Sequence, residues 1–315
     1  MNVLLIDIDS RIPNLALKKV ELYHRRRGDK VQWNVPILRE WADKIYVSCV
    51  FEENRDKCLE WEGAAVIGGT GYDLSIKLPE EIERVKPRIN MGFTTRGCIR
   101  SCGFCIVPRK EGKIRIVGDL ADLWDGQSKD LLLIDNNILA VPDHFRIICK
   151  QARELNLRID FNQGLDHRLL SPDIVRDLKG IRHKEYRLAY DSPDQHETVA
   201  RAIRMLQSGS INRCMWYVLV GYDTNFREDL DRLEYLKSMK QTAFVQRFSK
   251  TRGNLLLGQW ANQHGLYKQM SFQEFMSLPR YNSFYWKYVE EIKAYFGDWS
   301  AVIKKPLRYD RMVAY

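Results

Sequence analysis

Apolar runs at residues 91–95, 131–134, 157–161, 186–190, 215–220 and 243–247, separated by stretches with helical spacing, restrict what this chain can fold into. Short strands joined by helical crossovers pair in parallel, because a tight hairpin cannot deliver a parallel neighbour. Six such units predict an open or partial barrel. Two of the intervening helices mark their own starts: Pro142-Asp143 opens an amphipathic stretch through Leu155, and Ser171-Pro172-Asp173 opens another. Proline in a first helical turn lacks only an N–H that has no partner there, and serine or aspartate caps those that remain.

A smaller α/β pattern comes first. Residues 3–6 form an apolar run, 15–27 have helical spacing, 44–50 read as a strand, and 64–67 lead into Gly68-Gly69-Thr70-Gly71. Pro79 and Pro87 break the polar stretch 79–90. The expected organisation is a Rossmann-like α/β domain over 1–78, a linker over 79–90, a TIM-like partial (βα)6 barrel over 91–250 and a helical extension over 251–315. In the extension Phe284, Tyr285, Tyr288, Val289, Ile292, Tyr295 and Phe296 share a helical stripe, the pattern of a face packed on a core rather than of rings held out for base stacking.

With 45% hydrophobic and 29% charged residues, the composition is that of a folded globular protein rather than a disordered one. No apolar run is long enough to span a bilayer, and the chain begins with the strand-like MNVLLIDID rather than an export signal. A cytoplasmic protein with no membrane partner is expected. Seven cysteines in no regular framework suit a reducing compartment. A net charge of +9 and a pI near 9.1 favour a polyanionic partner, although a solvated basic surface gives the same figures.

Three of the cysteines, Cys98, Cys102 and Cys105, fall within eight residues. Their spacing also fits the stripe of a buried helix, but Gly97 and Gly103 oppose that reading, each costing about 1 kcal/mol in a helix interior. Structural zinc wants four ligands, usually as paired short spacings, and no second Cys-x2-Cys or nearby histidine accompanies these. Three thiolates on a close-wrapping loop can instead grip an iron–sulfur cluster and leave one iron open to an outside ligand.

The Cys-x3-Cys-x2-Cys spacing, with Phe104 before the third cysteine and the strand at 91–95 leading into the loop, resembles the radical S-adenosylmethionine (SAM) enzymes over roughly residues 91–249. The resemblance implies a [4Fe-4S] cluster on the three cysteines and SAM chelated through its amino and carboxylate groups. It also implies reductive cleavage to a 5'-deoxyadenosyl radical that abstracts hydrogen, and an electron donor such as flavodoxin or ferredoxin. Cofactor contacts are then expected at the carboxyl ends of the strands. Besides Phe104, these are Asp135 or Asn136, where the family often has Gly-Gly-Glu for the methionyl amino group; Gln163 and Asp191 for ribose or substrate; and Gly221, whose backbone can approach adenine. Helix caps and turns use the same residue types. Arg109 and Lys110, just past the loop, form a basic rim suited to a phosphate-bearing substrate, whereas the run His24-Arg25-Arg26-Arg27 reads as a solvated face.

Residues 1–78 resemble the cobalamin-binding-like domain of a subgroup of these enzymes, on the strength of Gly68-Gly69. The ligand pattern Asp-x-His-x-x-Gly is absent: the first loop reads Asp7-Ile8-Asp9-Ser10-Arg11-Ile12. Cobalt ligation by that histidine is not expected, while cobalamin held without it and a corrin-free domain both stay open. The charge suggests a nucleic acid or nucleotide as the molecule modified. The alternatives are a cobalamin-dependent methyltransferase, a peptide or small-molecule modifier, and a nucleic-acid-binding protein with a structural or redox-sensing cluster. A methylthiotransferase would carry a second three-cysteine set in its N-terminal domain, which Cys49 and Cys58 do not supply.

Overall fold

The computed structural model describes residues 1–297, 299 and 303. They fall into two compact units, one of residues 1–101 with 105–136 and the other of 102–104 with the described residues from 137 onward.

The first unit begins with a parallel sheet of order β2-β1-β3-β4, made of β1 (Asn2–Asp7), β2 (Lys30–Trp33), β3 (Lys44–Ser48) and β4 (Val66–Gly68). Alternation along the strands sends Val3, Leu5 and Tyr46 to one face, under Leu17 and Val20 of helix α1 (Leu15–Arg26). Leu4, Ile6, Ile45 and Val47 go to the other, against Cys58 and Trp61 of the 3-10 stretch Glu52–Trp61. The connections after β1 and β3 therefore lie on opposite faces of neighbouring strands. Asn14 caps α1 by accepting from the Leu17 N–H at 3.1 Å and donates to the Ser48 hydroxyl at 2.9 Å, tying the helix start to the end of β3.

Beyond this sheet, the short helix α2 (Glu80–Glu83) occupies the proline-flanked stretch expected to be linker. The strand anticipated over 91–95 divides in two. β5 (Met91–Gly92) pairs in parallel with β8 (Asp130–Leu133), while β6 (Thr95–Arg96) pairs antiparallel with β7 (Arg115–Ile116) and so closes the cysteine segment into a loop. That loop carries α3 (Val107–Lys110), and α4 (Leu120–Leu123) follows β7 behind a capping box of Asp119 and Asp122.

The second unit alternates helices and parallel strands. Its strands are β9 (Arg158–Phe161), β10 (Arg182–His183), β11 (Arg187–Ala189), β12 (Met215–Val220) and β13 (Thr242–Arg247). β9 pairs with β10, and β11, β12 and β13 form a three-stranded sheet. Between them run α5 (Pro142–Glu154), α6 (Pro172–Lys179), α7 (His196–Ser208) and α8 (Phe226–Ser238), with starts at 142 and 172 where the prolines put them. Parallel strands with helical connections are thus present in both units, beside the antiparallel β6–β7 pair.

Among the described residues five helices follow: α9 (Arg252–Ala261), α10 (His264–Gln269), α11 (Phe272–Ser277), α12 (Pro279–Lys287) and α13 (Val289–Phe296). The aromatic stripe spans α12 and α13, with a break at Tyr288, and it packs inward: Phe296 stacks on Phe226 of α8 at 3.9 Å between ring centres. Among the described residues no helix is long and apolar enough to cross a membrane.

One buried ion pair holds the strand ends of this unit. Asp229 and Arg232 of α8 bond to each other with side chains 0% and 2% exposed. Arg232 donates to the Tyr190 and Leu219 carbonyls, both at 2.7 Å, and Asp229 accepts from the Gly221 N–H at 2.9 Å and from the Tyr295 hydroxyl. Removing one member leaves the other charge buried without its counterpart. Asp229→Ala should therefore destabilise the protein by about 3–5 kcal/mol in urea unfolding, and Asp229→Leu combined with Arg232→Met should lose less than the single change. Equal losses in the two would show that the ion pair is not what holds these strand ends.

Candidate functional site

The segment 98–106 is loop, not helix, and α3 begins only at Val107. Gly97 sets its course. Its φ of +85° is one that side chains disfavour, and a Cβ there would sit 2.3 Å from the Lys113 carbonyl oxygen. The Gly97 N–H donates to Asn136 Oδ1 at 2.9 Å, the Cys98 N–H to the Gly112 carbonyl at 3.2 Å, and the Arg100 N–H to Cys98 Sγ at 3.3 Å.

Cys98, Cys102 and Cys105 are half-buried and unbridged, whereas Cys49, Cys58, Cys149 and Cys214 are buried. Burial pushes the thiols of Cys49, Cys149 and Cys214 up to about 12, so these are core residues. The three loop thiols have the donor chemistry of a cluster site. However, among the described residues no group of three or more His, Cys, Asp or Glu side chains is arranged to hold a metal ion. The sequence led us to expect a ready-made ligand set; the thiols are present, but they are not gathered.

Asp135, expected to meet the methionyl amino group, is 4% exposed. Its Oδ1 accepts from the backbone N–H and the hydroxyl of both Thr94 and Thr95. Its Oδ2 is buried with no hydrogen-bond partner. Burial pushes this carboxyl above the usual carboxylate range despite those four donors. Asn136 already spends its side-chain oxygen on Gly97, a local duty that its sequence context does not reveal.

In the second unit Phe104 meets Tyr222 edge-on at 5.4 Å, and Tyr222 meets Phe248 at 4.7 Å. Gly103 fits beneath the Tyr222 hydroxyl, 2.4 Å from where a Cβ would sit. Gly221 has φ +74° and lies against Asn254, so the glycine has a structural reason of its own. Gln163 is exposed in the turn that follows β9, closed by the Gly164 N–H on the Phe161 carbonyl at 3.0 Å.

Arg168, not singled out from sequence, donates through Nε to Asp166 at 2.7 Å and lies within electrostatic reach of Cys102 and Asp191. The Asp-x-Arg pattern after β9 was the available signal. Burial raises the Asp191 carboxyl to about 6, against the opposing pull of Arg232 and Arg168.

Arg109 is exposed, and Lys110 is half-buried with its Nζ on the Ile76 carbonyl at 3.1 Å. In the first loop of the chain, Asp9 accepts from the Val50 N–H at 2.7 Å, the Phe51 N–H at 3.0 Å and the Asn54 amide at 3.1 Å. That loop is thus committed to holding the end of β3, and it does not fit a role in cobalt ligation. Gly69, at φ +104°, packs on the Cys49 backbone, 2.1 Å from where a Cβ would sit.

No family model matches the chain. The tRNA-2-methylthio-N(6)-dimethylallyladenosine synthase of Flavobacterium psychrophilum, a radical SAM family protein, is 26% identical over 153 residues, taking in 38% of this chain. The match covers 30% of that protein, so the chain spans less than a third of its length. The likeness is consistent with membership of the radical SAM superfamily and nothing narrower.

The raised pKa of Asp191 fixes the sign of a pH effect. The folded chain holds this proton more tightly than the unfolded chain, so the stabilising contribution is complete below 3.8 and is lost as pH rises towards about 6. Asp191→Asn should remove that fall and leave the variant more stable than the parent at pH 7, by on the order of 3 kcal/mol. Urea unfolding of both proteins at pH 4 and pH 7 measures the difference. An identical pH slope in the two would refute the assignment.

Proposed function

We propose that this chain is a radical SAM enzyme in which Cys98, Cys102 and Cys105 hold a [4Fe-4S] cluster, and that it modifies a nucleic acid or nucleotide. One observation carries this reading: the chain's three half-buried, unbridged thiols lie on a single loop with Gly97 at its turn, while its other four are sealed in the core. The partial likeness to a radical SAM protein supports the same chemistry. Such a cluster, when bound, supplies the electron that cleaves SAM to methionine and a 5'-deoxyadenosyl radical.

The chain's own part in this reading is to seat SAM and to exclude water. Asp135 is assigned to the methionyl ammonium through Oδ2, since a buried acceptor without a partner is unfavourable until a donor reaches it. Asp191 is assigned to the ribose and the Gly221 backbone to adenine, and Phe104, Asn136 and Gln163 are assigned further cofactor contacts. The parallel strands of 91–250 are read as the partial barrel, residues 1–78 as the cobalamin-binding-like domain and 251–315 as the extension. A cytoplasmic setting and an external flavodoxin- or ferredoxin-like donor belong to the same proposal.

For the substrate, the support is charge and exposed rings. Arg247, Phe248 and Lys250 are exposed at the end of β13, and Phe248 also lies against Tyr222. Cations beside a ring that can stack suit an unpaired base with its phosphates.

Anaerobic reconstitution with iron and sulfide should give about four irons per chain. Reduction with SAM present should then release 5'-deoxyadenosine, detected by chromatography. Cys98→Ala should lose both the iron and the product. A wild type that binds no iron, or a Cys98→Ala variant that makes as much product, would overturn the proposal.

A further inference from the structure

A cleft of about 590 Å³ opens in the first unit over the carboxyl ends of β3 and β4 and the first turn of α1. In an open parallel sheet, ligands bind outside the carboxyl ends of the strands, at the point where neighbouring strands send their connections to opposite faces. β1 and β3 are such a pair, with α1 on one face and the 52–61 stretch on the other, and the cleft lies beside that point, lined by α1, β3 and β4 and by no residue of β1. The volume lies within the range of small-molecule sites, which runs from about 300 to 1,000 Å³.

The lining has two characters. Its floor is apolar, with Leu17, Val20, Tyr46 and Leu78. Its rim brings six lysines and arginines against three glutamates, all of them already committed, Glu80 to Arg84 outside the cleft. Glu83 takes Lys19 at 2.8 Å and Arg96 at 2.6 Å, and Glu111 takes Arg96 at 3.0 Å. Lys77 and Lys110 have no ion-pair partner among the described residues. Lys110 is half-buried, and burial holds its ammonium below the usual lysine range. Arg96 and Lys77 add like charge around it, and Glu111 and Asp73 oppose them. Cations crowded at a partly desolvated rim are relieved by an anion of more than one charge. An inorganic anion would leave the apolar floor uncovered, and an uncharged ring would leave the lysines as they are.

We propose that this cleft binds a free nucleoside phosphate, with its base on the apolar floor and its phosphate held by Lys77 and Lys110. The site uses none of the residues assigned to the cluster or to SAM, since Cys98, Cys102, Cys105, Asp135, Asp191 and Gly221 do not line it, while the far end of the cysteine loop contributes Lys110 and Glu111.

Isothermal titration of the full-length protein with AMP, ADP and ATP tests this, with adenosine, inorganic pyrophosphate and hydroxocobalamin as the other arms. Saturating SAM is kept present so that an adenosine site elsewhere is filled. The nucleotides should bind with one-to-one stoichiometry, more tightly than adenosine or pyrophosphate, and more weakly as salt rises. Lys77→Glu with Lys110→Glu should weaken nucleotide binding about tenfold or more, and Lys110→Ala should lie between. Lys150→Glu, an exposed charge change on α5, should leave affinity unchanged. Nucleotides no tighter than adenosine, equal affinity in the double variant with an unchanged melting temperature, or occupancy by hydroxocobalamin that nucleotides do not displace would each overturn the proposal.

Discussion

The pair of Asp229 and Arg232 fixes the second unit at the point where its chemistry would have to be built. Neither charge is repaid simply by meeting the other, since stripping water from two ions costs several kcal/mol each. What completes the arrangement is backbone with one hydroxyl: the carbonyls of Tyr190 and Leu219, the N–H of Gly221 and the side chain of Tyr295 all end on these two side chains. Asp191 and Tyr222 are the next residues along the two loops. Their positions follow from that charged knot, and so does the depth at which Asp191 is desolvated.

The first unit uses the same device without the arginine. A parallel strand ends with N–H groups that no neighbour reaches, and a carboxylate from another strand end can collect them. Asp9, after β1, collects Val50 and Phe51. Asp135, after β8, collects Thr94 and Thr95 and so carries the chain from β5 into β6 and the cysteine loop. Asp229 does likewise for Gly221. Aspartate suits the task because its short side chain positions the acceptor oxygens close to the backbone.

This explains which parts of the molecule the sequence disclosed. Long apolar runs such as 215–220 and helices opened by Pro142 and Pro172 were legible because their signals are local. β2 was not, since Lys30-Val31-Gln32-Trp33 offers only two alternating apolar positions. The division of 91–95 into β5 and β6 was equally hidden, because Thr94 and Thr95 turn on a carboxylate some forty residues further along the chain. The same distance blurs the candidate site. Asp135 and Asn136 stand out in sequence as polar residues after a strand, yet most of their bonding capacity serves the loop that they support. Arg168 and Tyr222 went unnoticed because what distinguishes them is their neighbours in space.

The seven cysteines form two chemically separate populations. Four are buried, and for three of those the thiol is pushed up to about 12, which leaves almost no thiolate at neutral pH. The other three share eight residues of one loop. An alkylating reagent applied to the native protein therefore meets a single address, and the number of labels taken up becomes a direct gauge of whether that loop is free or engaged.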